Sequence, residues 1–168
     1  MKVIFSHGKE SGPWGSKIKT LASIAEGYGC STDSIDYQDI PNPDQRVERL
    51  VEYLKQETGD FILVGSSMGG YVSLVASEQI VPNGTFLLAP ALYIPGYARQ
   101  TYPSDSPVEI IHGWSDEVIP VSNSISYAQK ADCTLHLIAG DHRLNTSLDQ
   151  VTRIFRSFLL AFTVQDGK

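Results

Sequence analysis

The sequence predicts an α/β fold: a doubly wound, mostly parallel six-stranded sheet with helices on both faces. Three observations predict it. Short strand-like runs alternate with helix-like stretches from one end of the chain to the other, the pattern of a parallel sheet covered on both sides. Three of the helical stretches carry a single apolar stripe at i, i+3, i+4 and i+7, so each has one face to bury. Between the third strand and the next helix stands Gly65-Ser66-Ser67-Met68-Gly69, a sharp turn whose small residues let backbones approach closely.

In chain order, Val3 to Ser6 forms the first strand candidate, followed by a helix with Ile18, Leu21, Ala22 and Ala25 on one face. Ser34 to Tyr37 is the second strand. The next helix has a visible start, with Asn42 as N-cap and Pro43 at the first helical position, where the missing N–H costs nothing. Its stripe is Val47, Leu50, Val51 and Leu54. Phe61 to Val64, Thr85 to Ala89, Glu109 to His112 and Thr134 to Ile138 are the remaining strands. Val151, Ile154, Phe155, Phe158, Leu159 and Phe162 mark a closing helix, and Gln165 to Lys168 are expected to fray. Repeats, low-complexity tracts and linkers are absent from the sequence, so one domain over residues 1–168 is expected.

Ser67 sits between Gly65 and Gly69 at the apex of the strand-turn-helix. A serine hydroxyl is a weak nucleophile, and such a turn lifts its Oγ clear of the sheet above the unpaired N–H groups of a helix N-terminus. Ser66, before the apex, reads as a packed small residue. An acyl-transfer serine also needs a base to take its proton and an acid to orient the base. Asp116 falls in the loop beyond the fifth strand and His142 in the loop beyond the sixth. The C-terminal ends of parallel strands share one edge, so Ser67, Asp116 and His142 can converge there.

Each has competitors. His136 lies inside an alternating strand and reads as structural, whereas His142 is in a loop from which an imidazole can reach Oγ. His7 and His112 precede glycines at strand ends and read either as turn residues or as supports of the site. Asp141 reads as a turn residue bonding its own backbone. Asp105, in the connection before the fifth strand, is the rival of Asp116 for the acid, and Glu117 is a weaker one.

On these residues the chain resembles the α/β-hydrolase superfamily, from Val3 to about Phe162. The motifs are His7-Gly8 after the first strand, the elbow at Ser67, the HGxxD turn ending at Asp116 with Pro120 beyond, and the GDH turn ending at His142. The resemblance implies a serine hydrolase with a Ser-His-Asp triad, an acyl-enzyme intermediate, and neither cofactor nor metal. It also implies an oxyanion hole made by the backbone N–H of Met68 and that of Lys9. Superfamily members usually carry two more strands at the front and often a lid, for which this chain has no room. It therefore resembles a small, lid-less, bacterial-type esterase with an open site, acting on small carboxylic esters or thioesters rather than long-chain lipids.

Glu10, Tyr93, Trp114 and Arg143 are the candidate substrate contacts. Lys9 and Glu10 read either as a solvated pair or as charges at the mouth, with Lys9 and Arg143 attracting a substrate carboxylate or phosphate. Tyr93, Tyr97, Tyr102 and Trp114 read either as pocket walls or as packing over helices.

Composition excludes several classes. A net charge of −6, with no cluster of Lys or Arg, argues against nucleic acid and anionic membranes as partners. A chain of this length buries about 70% of its unfolded surface, enough for a core without staples. Cys30 and Cys133 stand alone and read as buried thiols. The N-terminus lacks the apolar stretch of a secretory signal, so a cytoplasmic protein is expected. Oligomeric state stays open. Two other readings remain: a module cradling phosphate or flavin on the Gly65–Gly70 turn, which leaves Asp116 and His142 without roles, and an inactive hydrolase fold used as an interaction surface.

Overall fold

The structure, a computed structural model, describes residues 1–163; the expected fraying of Gln165 to Lys168 lies outside them. The strands are β1 (Lys2–Ser6), β2 (Ser31–Ile35), β3 (Phe61–Ser66), β4 (Gly84–Leu88), β5 (Val108–Gly113) and β6 (Thr134–Ile138). The helices are α1 (Ser16–Gly27), α2 (Pro43–Leu54), α3 (Met68–Ala76), α4 (Val121–Ala131) and α5 (Leu148–Thr163), the last preceded by a 3-10 turn at Asn145–Ser147. The sheet order is β2-β1-β3-β4-β5-β6, and every pairing is parallel.

Alternation along the strands divides the core into two faces. Val3, Phe5, Ile62, Val64 and Phe86 point to the face covered by α1 and α5, where they meet Leu21, Val151 and Phe155. Ile4 and Leu63 point the other way, against Leu50 and Val51 of α2 and Tyr71 and Val72 of α3. Leu87 and Ile110 continue that face to Tyr127 of α4. Every residue of α3 is buried, which explains why that helix has no polar stripe in the sequence. The start of α2 is as expected: the Asn42 side chain accepts hydrogen bonds from the N–H groups of Asp44 (2.8 Å) and Gln45 (3.1 Å).

The second strand differs from the sequence reading. It runs over Ser31–Ile35 rather than Ser34 to Tyr37. It is an edge strand paired only with β1, so its first half carries the polar residues Ser31, Thr32 and Asp33, and only its buried end shows an apolar signal. Tyr37 is fully buried but belongs to the loop beyond, where its N–H donates to His7 Nε2 at 3.0 Å.

Because β2 and β3 flank β1 on opposite sides, the chain leaves β1 in one direction and β3 in the other. That reversal opens a crevice at the strand C-termini, between the loop after β1 and the turn after β3.

Candidate active site

The turn after β3 is built by backbone contact. A Cβ placed on Gly65 would overlap the Gly69 carbonyl, and one on Gly69 would overlap the Ser6 carbonyl. Only glycine allows α3 to start this close to β1 and β3. Ser67 then adopts φ 54°, ψ −119°, a strained conformation for a side-chain-bearing residue. It is held by its N–H to Leu88 O (3.0 Å) and by its carbonyl, which accepts from Ala91 N–H at 2.9 Å.

The three distant side chains meet. His142 Nε2 lies 3.0 Å from Ser67 Oγ, and His142 Nδ1 lies 2.8 Å from Asp116 Oδ2. The Asp116 side chain is fully buried and that of His142 is 19% exposed, so the imidazole faces the opening and the carboxylate does not. Both carboxylate oxygens are engaged. Oδ1 accepts from the N–H groups of Val118 and Ile119, each at 2.8 Å, and Oδ2 meets His142 and also His112 Nε2 at 2.9 Å. Burial acts to raise the Asp116 pKa, but the hydrogen bonds from His142, Ile119 and Val118 outweigh it and hold the carboxyl below the usual range. The arrangement keeps an anion opposite Nδ1, leaving Nε2 free to accept the Ser67 proton.

The competitors are accounted for. Asp105 and Glu117 are exposed and bond neither imidazole. Asp141 Oδ1 accepts from Arg143 N–H (3.1 Å) and Leu144 N–H (3.0 Å), a turn that carries His142. His136 pairs with Glu109 at 2.6 Å on the sheet. His112 is fully buried, its Nδ1 2.7 Å from Ser124 Oγ, and burial pushes its pKa down. With Nε2–H donating to Asp116 and Nδ1 accepting from the Ser124 hydroxyl, it supports the carboxylate as a neutral ring.

The N–H of Met68 opens α3 and that of Lys9 belongs to the loop after β1; among the described residues neither has a hydrogen-bond acceptor. The loop lies against the turn, since a Cβ on Gly8 would stand 3.6 Å from Ser67 Cβ.

A cleft of about 630 Å³ opens over Ser67 and His142. Lys9, Glu10 and Arg143 line it, with Ile94, Tyr97 and Val118 as apolar wall. Tyr93 and Trp114, expected as substrate contacts, do not. The Tyr93 ring packs edge-on against Tyr102 at 5.2 Å and under Lys130 of α4, while Trp114 is 58% exposed and outside the cleft lining. Tyr102 is likewise a packing residue, its ring also edge-on to Tyr71 and Tyr127.

Sequence reasoning missed Arg46, which is 2% exposed and bonds the loop after β1. Its place four residues before Leu50, on the buried side of an amphipathic helix, was the signal available. No helix among the described residues is long and apolar enough to cross a membrane.

Comparison with known proteins agrees with this architecture. Residues 2–100 match the family described as Uncharacterised protein family (UPF0227). No curated protein matches the sequence. Among solved structures, a Xanthomonas campestris pv. campestris protein assigned to the alpha/beta hydrolase superfamily is 30% identical, with a TM-score of 0.89 over 96% of this chain and 99% of that one. Est1E from Butyrivibrio proteoclasticus shares the fold at 20% identity and a TM-score of 0.81, over 95% of this chain and 87% of its own. So does an α/β serine hydrolase without a lid from Xanthomonas campestris, at 17% identity and a TM-score of 0.69, over 96% and 82% of the two chains. With a six-stranded parallel sheet, an elbow at its centre and these matches along most of its length, the chain belongs to the UPF0227 family within the α/β-hydrolase superfamily.

Proposed function

We propose that the protein is a serine hydrolase acting on small carboxylic esters or thioesters, with Ser67 as nucleophile, His142 as general base and acid, and Asp116 as the residue that orients it. The observation that carries this reading is the continuous hydrogen-bonded chain from Ser67 Oγ through His142 to Asp116, at 3.0 and 2.8 Å.

In the proposed cycle the Ser67 Oγ–H proton passes to His142 Nε2 as Oγ attacks the carbonyl carbon. The oxyanion that forms is held by the N–H groups of Met68 and Lys9. As the tetrahedral species collapses, the proton on Nε2 goes to the departing alcohol or thiol, leaving an acyl-serine. Water then attacks, gives its proton to Nε2, and that proton returns to Oγ as the carboxylic acid leaves. Asp116 stays ionised throughout and stabilises the imidazolium formed at each attack.

A cleft of about 630 Å³ is of the size that holds small molecules. Its apolar wall at Ile94, Tyr97 and Val118 suits a short acyl or alcohol group, and the charges of Lys9 and Arg143 suit a substrate bearing a negative group at the mouth. The test is an acyl-chain-length series of p-nitrophenyl esters and acyl thioesters on wild type and Ser67→Ala. Hydrolysis that peaks at short chains and vanishes in Ser67→Ala supports the reading, and equal rates in the two proteins remove it.

A further inference from the structure

Arg46 is a buried cation without a carboxylate. Its guanidinium makes no ion pair among the described residues and donates instead to backbone carbonyls: Nε to Ile40 O at 2.6 Å, and Nη1 to Gly8 O at 3.2 Å and His7 O at 3.4 Å. It also lies over the Tyr37 ring, 5.5 Å from the centroid. Burying a charge against carbonyls and a ring face, with no anion to pair it, is a costly way to fill a helix face. A leucine at this position would extend the stripe of Val47, Leu50, Val51 and Leu54, so stability by itself does not account for the charge.

The carbonyls it holds belong to the loop beside Ser67. Gly8 O accepts twice, from Arg46 Nη1 and from His7 Nδ1 at 2.8 Å. His7 is fully buried; burial lowers its pKa, against the opposing effect of the bond to Gly8, and the Arg46 charge adds to the lowering. As a neutral ring it has one donor for Gly8 O and one acceptor for the Tyr37 N–H. Among the described residues no peptide bond is cis, and a trans peptide points its C=O and N–H in opposite directions. Two donors on Gly8 O therefore fix the Gly8–Lys9 peptide and direct the Lys9 N–H to the opposite side. A cation on the oxygen of an amide also draws electron density toward that oxygen and strengthens the N–H as a donor.

We propose that Arg46 is a positioning residue for the oxyanion: acting through the Gly8 carbonyl, it aims and polarises the Lys9 N–H that receives the negative charge developing on the substrate oxygen. The proposal rests on the reading of Ser67 as nucleophile. Because Arg46 strengthens a contact that matters most once charge has formed, its loss reduces kcat and leaves KM nearly unchanged.

The experiment compares wild type, Arg46→Met and Arg46→Lys in p-nitrophenyl acetate hydrolysis and in inhibition by phenylboronic acid, which forms a tetrahedral anion on a nucleophilic serine. Arg46→Met should lose roughly tenfold to a hundredfold in kcat, less than the 10²–10³ lost when an oxyanion donor is removed outright. Boronate affinity should fall in parallel, and Arg46→Lys should recover part of both. Unchanged kcat, a kcat loss with unchanged boronate affinity, or a lysine variant no better than methionine would overturn the proposal. If neither variant folds, the Lys9 amide resonance of the wild-type protein decides: it should move downfield when the boronate binds, and a resonance that stays in place overturns the assignment. A wild type that neither hydrolyses the ester nor binds the boronate defeats the reading of Ser67 and this proposal with it. An active wild type with indifferent Arg46 variants defeats this proposal alone.

Discussion

His112 and His142 grip the same carboxylate oxygen: Asp116 Oδ2 lies 2.9 Å from Nε2 of the first and 2.8 Å from Nδ1 of the second. The His112 imidazole is anchored in turn by the Ser124 hydroxyl, 2.7 Å from its Nδ1. A hydrogen bond to a charged group contributes about 1.5–3 kcal/mol. Replacing His112 with Phe should therefore slow ester hydrolysis roughly tenfold to a hundredfold, because Asp116 loses one of its four partners and with it a fixed orientation. Steady-state kinetics check this, and a full-rate His112→Phe would show that the other three bonds hold Asp116 unaided.

The acid should prove to be Asp116 and not Asp105. Asp116→Asn replaces an anion by a neutral amide opposite His142 Nδ1 and favours the wrong tautomer, for which the expected loss in kcat is roughly 10⁴-fold. Asp105 is exposed and bonds neither His142 nor His112, so Asp105→Asn should stay within about twofold of wild type, as exposed substitutions do. Parallel kinetics of the two variants separate the candidates.

Stability should fall as the solution is acidified through the histidine range. Burial lowers the pKa of both His7 and His112, so both are neutral in the folded protein at a pH where the unfolded chain already binds protons. Their contribution is complete above the unfolded value, about 6.5, and is lost as pH drops from there toward the lowered native values. Asp116, whose pKa is also lowered, adds stability that is present above about pH 4 and is lost as pH falls through its native value. Melting temperatures between pH 8 and pH 4 should decline, and the decline below pH 6.5 should be shallower in His112→Phe.

Gly69→Ala should be far more damaging than its size suggests. The added Cβ meets the Ser6 carbonyl, and α3 cannot retreat because every one of its residues is buried. Overpacking of this kind costs about 1–3 kcal/mol or more. Urea denaturation should show that loss, whereas Gly15→Ala, where a Cβ meets nothing within 4 Å, should unfold near wild type.

Much of this was legible in the sequence because the signals are local and repeat. Apolar alternation located five of the six strands closely, and Asn42-Pro43 located the start of α2. The glycines around Ser67 announced a backbone approach that side-chain-bearing residues would prevent. The convergence of Ser67, Asp116 and His142 was readable because parallel strands end on one edge. The start of β2 was not, since an edge strand exposes polar residues that resemble a loop. Which tyrosines line the cleft depends on side-chain direction in irregular loops: Tyr93 sits at φ 56° and packs toward α4, whereas Tyr97 turns into the cleft. The role of Arg46 was hidden because its partners are carbonyls, which leave no trace in residue identity.

The proposed hydrolysis depends on the Ser67 hydroxyl being activated by its contact with His142, and covalent labelling reads that most directly. Wild type treated with a fluorophosphonate should gain one adduct by intact mass, located to the peptide containing Ser67, and Ser67→Ala should gain none. A wild-type protein left unlabelled, or a Ser67→Ala protein labelled as fast as wild type, would contradict it.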